Sequence, residues 1–375
     1  MNVVHSRLLP GFKYLTLAAT VFLVACSTMP ESELSEPSAP PATPALAPQP
    51  ARAPAAPPVA PLVSSRSPAS AAQIAALRTL LEQQDRLVKV AAPILLNNAA
   101  LCKRNTRNVT AFIAKTQFSY SSDVAAAARA AFGLGDRLQI MTVFPDSAAA
   151  SSGLLSGDVL LAVGDNKIAA GPNAERDGMK MIESASKGRS AISLTILRGN
   201  APLTVNLPLS RACAFDIELG NTDNVNSYTD GRRVMVTRGM LDFVRSDEEL
   251  AYVLAKEIAH AALVRTARPG MHAMIDKLMV SQATAGAAAR TPPLQPYVPV
   301  SDATADKLAL YMLVLAGDSI DNVLPFWQRV ATQVPASNPN SYTALHSATA
   351  YRLSVIKAVI ATIKLKQSNN LPLIP

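Results

Sequence analysis

The 375-residue chain has little of several things: three cysteines, four histidines, one tryptophan, and aromatics at 5%. With so few cysteines, a zinc site built from thiolates is disfavoured. With scarce aromatics and scattered Lys and Arg, there is no basic stripe interleaved with stacking side chains, so nucleic acid is not an expected partner. The apolar stretch Tyr14 to Ala25 (YLTLAATVFLVA) is too short for a comfortable transmembrane helix. What the chain does have is length enough for two or three domains and a formal net charge of +8. That charge admits anionic partners such as membrane surfaces or cell-wall polymers and is silent about fold.

The N-terminus reads as a targeting segment, with Arg7 and Lys13 ahead of the apolar stretch. It ends in Leu23-Val24-Ala25-Cys26, which resembles a bacterial lipobox. The resemblance implies that residues 1–25 are a lipoprotein signal peptide and that lipidated Cys26 anchors the chain to a membrane. The alternative is an ordinary signal peptide with an incidental cysteine. Ser27, where Asp would mark inner-membrane retention, leans towards the outer membrane and a periplasm-facing chain in the cell envelope. That compartment is oxidising, so the two remaining cysteines, Cys102 and Cys213, are expected to pair. A loop this long contributes roughly 4–5 kcal/mol in the chain-entropy treatment; two buried free thiols are the alternative. Residues 26–70 are Pro/Ala-rich and lack a hydrophobic period. They read as an extended tether with a reach on the order of 100 Å.

From Ala71 the apolar positions Ile74, Leu77, Leu81, Leu87, Val88 and Ile94 recur at helical spacing, which predicts one or two helices to about Leu101 within a segment 71–114. Residues 115–209 read as strands and turns, with a hairpin at Gly199-Asn200 and a helix around Glu175 to Ser186. Within them PDSAAASSGLLSGDVLLAVGD, with Ser147, Ala148, Ala149, Gly153, Leu154, Gly157 and Asp158 in order, resembles the signature of bacterial PDZ domains. The resemblance implies a β-rich module that takes an extended peptide at a sheet edge. A structural β-domain without a ligand is the other reading.

In residues 210–375, Arg233 to Thr237 predicts a strand, Gly239 a turn, and Ser246 with Glu249 a capping box that opens a helix. That helix carries LAKEIAHAAL, in which Lys256, Glu257 and His260 form K-E-x-x-H. Two histidines at i and i+4 on one helical face can grip zinc, with the intervening Glu as base on the zinc water. Here the first histidine position is Lys256, whose ammonium has three donors and no lone pair. The surrounding block VNSYTDGRRVMVTRGMLDFVRSDEELAYVLAKEIAHAAL resembles the HtpX/CAAX-prenyl-protease family of zinc metallopeptidases, as do SDATADKLALYMLVLAG and LHSATAYRLSVIKAVI further on.

The resemblance implies an α+β fold: a mainly helical, zincin-like peptidase domain with a small sheet, split by the PDZ insertion. It implies Glu257 as the general base and His260 as a zinc ligand. It puts Asp302 at the place of a family Glu ligand. Asp306 and Arg352 follow as positioning groups, and His346 as a residue near the active site. The departures gather at the metal: Lys256 for His, Asp302 for Glu, and Ser347 for the family's Pro. Drift would not strike the metal shell selectively, so the expectation is a pseudopeptidase. In one picture no metal binds and the Lys256 ammonium sits between Glu257 and Asp302. In the other, His260, Asp302 and His346 hold zinc, Glu257 remains the base, and Lys256 polarises a carbonyl. A buried helical His260 with one hydrogen bond, and Asp302 as a cap or solvated carboxylate, are the plain alternatives. His5 and His272 are not candidates. The run QATAGAAAR is a lid or a linker.

The function expected is that of a lipid-anchored envelope protein whose degenerate zinc site leaves it a non-catalytic peptide-binding scaffold or regulator. An active zinc endopeptidase with a modified ligand set, or a structural envelope lipoprotein, would be the alternatives.

Overall fold

The computed structural model of the chain describes residues 69–122, 124–263, 269–284 and 294–375. The signal segment, Cys26 and nearly all of the tether lie outside these, as does most of the QATAGAAAR run. The described residues fall within one compact unit, Ser64–Pro375.

Ser70 caps the first helix: its hydroxyl accepts from Gln73 N, and the Gln73 side chain returns the bond. Helices α1 (Ala71–Asn97) and α2 (Ala99–Cys102) run where the periodicity placed them. The chain then enters a β-rich module through β1 (Thr106–Val109) and leaves it through β8 (Ser210–Cys213), and these two strands pair antiparallel. Cys102 and Cys213 are joined by a disulfide with Cα atoms 5.5 Å apart. The expected pairing is therefore present, and it clasps entry to exit.

Between the clasp strands lie β2 (Phe112–Lys115), α3 (Ala125–Phe132), β3 (Gln139–Val143), α4 (Ala148–Ser151), β4 (Val159–Val163) and β5 (Asn166–Lys167). They are followed by α5 (Ala174–Ser186), β6 (Ala191–Arg198) and β7 (Ala201–Pro208). The sheet order is β2-β3-β4-β6-β7, with β5 on β4. Alternate residues of these strands, among them Ile140, Leu160, Leu194, Ile196 and Leu207, fill the module's own core. Asp158 of the Gly-Asp pair accepts from Leu155 N and takes both arms of Arg198 at 2.7 Å, which fixes the turn before β4.

The remaining strands, β9 (Asp216–Gly220), β10 (Ser227–Thr229) and β11 (Arg233–Thr237), form a small sheet of order β10-β11-β9. The predicted strand and β11 coincide. Gly239 stands in the short helix α6 (Arg238–Phe243) rather than in a turn. It is needed there because a Cβ would lie 2.1 Å from the Asp223 carbonyl oxygen.

Helices α7 (Asp247–Leu263), α8 (Pro269–Thr284), α9 (Pro299–Ala316), α10 (Val323–Gln333), α11 (Tyr342–Leu345) and α12 (Ala350–Ser368) complete the fold. The large core joins α1, α7, α9, α10 and α12 to the small sheet. The α+β class holds. No helix among the described residues is long and apolar enough to cross a membrane.

Candidate functional site

Helix α7 is buried on every side from Leu250 to Ala261, and besides Tyr252 three of those residues are ionisable: Lys256, Glu257 and His260. A charge inside a protein persists only with partners. Helix α9 supplies them, because Asp302 and Asp306 stand one turn apart on it, as Lys256 and His260 do on α7. The two pairs interlock. Lys256 Nζ lies 2.7 Å from Asp302 Oδ1 and 2.6 Å from Asp306 Oδ1, and His260 Nε2 lies 2.8 Å from Asp302 Oδ1.

The segment between α11 and α12 closes the centre. Ser341 caps α11, and His346 N donates to the Tyr342 carbonyl at 2.7 Å. The His346 ring then sets Nδ1 2.9 Å from Asp302 Oδ1 and Nε2 3.3 Å from Glu257 Oε1. Arg352 lies in the first turn of α12, where Thr349 is the cap. It grips Asp306 through Nε at 2.7 Å and Nη2 at 3.0 Å, and reaches Asp302 Oδ2 through Nη1 at 3.0 Å. The same Nη1 donates to the carbonyls of His346 and Ser347, which pins the loop to the two aspartates.

Lys256 is thus not between Glu257 and Asp302, as the first sequence picture had it, but between Asp302 and Asp306. Glu257 turns instead to His346 and to Ser227, whose hydroxyl donates to Oε1 at 3.0 Å. Asp302 is neither a cap nor solvated; it is the common acceptor of the whole centre. His272 stays apart, paired with Asp230 and Asp276.

Sequence reasoning missed the aromatic walls. Tyr297 stacks on His260 at 4.2 Å and on His346 at 4.8 Å, and Tyr342 stacks on His346 at 4.4 Å. Trp327 stacks on Tyr342 in turn. Tyr297 N donates to the Leu345 carbonyl at 2.9 Å, which holds that ring in place. The only trace of Tyr297 in the sequence is PYVPV, which reads as a loop. Ser227 lies inside the recognisable block but belongs to no metal pattern.

Electrostatics follow from the geometry. Burial alone would raise the Asp302 carboxyl, but the His346 and Lys256 charges and the bonds from both histidines hold it far below the usual range. Burial would also raise Glu257 and Asp306. The His346 charge and its bond outweigh that for Glu257, and Lys256 and Arg352 outweigh it for Asp306. Burial lowers His260. For His346 burial acts downward too, yet Asp302 and Glu257 raise it.

His260, Asp302 and His346 offer ligand atoms that all lie within 4.8 Å of one another, so the expected donors do converge. The arrangement nevertheless does not fit a divalent metal. An ionised carboxylate only accepts, so each ring nitrogen facing one carries a proton and has no lone pair to give. That holds for His260 Nε2 and His346 Nδ1, which both face Asp302 Oδ1; His346 Nε2 lies 3.3 Å from Glu257 without a hydrogen bond. Asp302 Oδ1 already takes three donors, and an ammonium stands among the ligands.

Residues 203–359 match the profile of Peptidase family M48. No curated protein matches the chain. Among solved structures, the HtrA3 PDZ domain bound to a phage-derived ligand (FGRWV) is 14% identical with a TM-score of 0.21, covering 28% of this chain and 88% of that one. An HtrA-type protease, AlgW, with a decapeptide is 20% identical with a TM-score of 0.22, covering 32% of this chain and 33% of that one.

Proposed function

Taking the Peptidase family M48 match over residues 203–359 as the premise, we propose that the chain is a lipid-anchored envelope protein that binds polypeptide without cleaving it. The observation that carries the non-catalytic half is the crowding of Asp302 Oδ1, which meets the Lys256 ammonium and both histidines where an ion would have to bind; Oδ2 has Arg352 at 3.0 Å but no hydrogen bond.

The binding half rests on the inserted module. Among the described residues strand β2 ends its sheet and pairs with β3 alone, the position from which a sheet takes an added strand. Helix α5 is tied to the end of β2 and to β1. Lys115 Nζ meets Glu175 at 2.7 Å at one end, and Asn108 donates to the Ser186 carbonyl at 3.3 Å at the other. Extended peptide is the ligand class this edge suits.

The competing reading is an active zinc enzyme. Its support is the converging donor set, together with Glu257 Oε2, which is buried and has no hydrogen-bond partner. Metal content separates the two. The purified chain is expected to contain no stoichiometric zinc by mass spectrometry and to leave unfolded casein intact with or without chelator. About one zinc per chain, with casein cleavage lost on chelation, would sink the scaffold reading. A phage library of peptides with free C-termini tests the module: enrichment that a synthetic copy of the selected peptide competes away supports it, and no enrichment refutes it.

A further inference from the structure

The two carboxylates of β9 fare differently. Ile217 and Leu219 turn to the large core, so strand alternation turns Asp216 and Glu218 to the other face, beside Arg233 and Met235 of β11. Asp216 is held by Arg107 at 2.6 Å and Arg232 at 3.7 Å. Glu218 is partly buried, yet its carboxylate has no hydrogen bond or ion pair among the described residues. Burial pushes that carboxyl up and the Asp216 charge adds to this, while the Lys115 and Arg233 charges oppose both. A carboxylate drawn partly out of water without a partner is costly, and a cation that bonds to it offsets the cost best.

Lys115 acts on Glu218 more strongly than Arg233 does, although Arg233 stands diagonally across on the neighbouring strand. The end of β2 therefore lies close to Glu218. The Lys115 ammonium is committed elsewhere, 2.7 Å from Glu175 of α5. One cation thus serves two carboxylates where β2 ends, and Glu218 is the one left over. At about 3.3 Å per residue the four residues of β2 span roughly 13 Å, so an added strand of five or six residues already runs past Lys115.

We propose that Glu218 selects the peptide taken at β2: a Lys or Arg side chain of the ligand, just beyond the residues that pair with β2 on the Lys115 side, docks on its carboxylate. The inference rests on the peptide-binding reading above and deepens it. It names the charge of the ligand, and it assigns the choice to a residue of the small sheet rather than of the inserted module.

The test uses the full chain and the phage library of peptides with free C-termini. On the native chain, selected peptides are expected to carry Lys or Arg at one position about fivefold or more above the library frequency. Glu218→Gln keeps the shape and loses the charge, so it should enrich peptides without that bias. A synthetic selected peptide should bind Glu218→Gln about tenfold more weakly than the native chain. Replacing its basic residue with norleucine should cost the native chain about the same tenfold and the variant nothing further. Neither Glu218→Gln nor Glu218→Met removes a side-chain bond that the folded chain makes, so Glu218→Met serves in its place if Glu218→Gln fails to fold. Selected peptides without a basic bias, or a bias that persists in the folded variant, would overturn this inference and leave the peptide-binding reading standing. No enrichment on the native chain would sink both.

Discussion

Arg352 touches both aspartates of the centre and the two carbonyls of the loop that carries His346. Arg352→Ala removes all of these at once and leaves Asp302 and Asp306 buried with one cation fewer. The expected cost is about 3–5 kcal/mol, read from the urea midpoint. Arg352→Lys should not restore it, because a single ammonium cannot reproduce the two-armed grip on Asp306. Asp230, in a separate ion-pair group with Arg233 and His272, offers a second residue-scale test. Burial would raise its carboxyl, yet the backbone N–H groups of Arg233 and Arg232 and the Arg233 guanidinium bring it down to about 2. In the unfolded chain the same group titrates near 4. The folded state therefore binds its proton less readily, so the stabilisation is complete above about pH 5 and fades as the pH falls towards 2. Native and Asp230→Asn chains should differ by on the order of 1 kcal/mol at neutral pH and converge near pH 2. Melting curves across that range check this; a gap that survives at pH 2 would refute it.

At the scale of elements, most local signals held; Gly239, read as a turn, stands inside α6 instead. The apolar period from Ala71, the strand Arg233–Thr237, the Gly199-Asn200 hairpin and the helix at Ala174–Ser186 are all in place. The cap of α7 is half as expected: Ser246 accepts from Glu249 N, but the Glu249 carboxylate reaches back to Arg245 N, one residue earlier than in a capping box. The ribbon of β1 and β8 depends on more than pairing. Its disulfide closes a separation of 111 residues. Replacing both Cys102 and Cys213 with Ala is expected to cost about 2–5 kcal/mol, and reductant should lower the melting temperature of the native chain but not of the variant.

At the scale of the whole molecule, the sequence offers an apolar leader, Cys26 and a Pro/Ala-rich segment before the compact unit. If Cys26 carries the anchor, the chain should sediment with membranes and be released by detergent but not by high salt. Cys26→Ser should move it to the soluble fraction, because electrostatic adhesion alone is screened by salt. A native chain that high salt releases would show that the positive charge holds it to the membrane, not a lipid.

What the sequence determined by itself was several of the elements, among them α1, β11, α5 and α7, because periodicity, caps, turns and i, i+4 spacing act within a few residues. Spacing brought Lys256 and His260 to one face of α7; it was the family resemblance that put forward Asp302, Asp306, His346 and Arg352 as their company. Which aspartates receive Lys256 was decided only in the tertiary structure. That choice depends on how α9 is rotated and shifted against α7, across 46 residues of sequence between Lys256 and Asp302, and no local pattern encodes it. The same packing turned Glu257 towards Ser227 and His346, and placed Tyr297 and Tyr342 on the imidazoles. A single acceptor oxygen shared by three donors is a property of converging chains, and only the folded core brings them together.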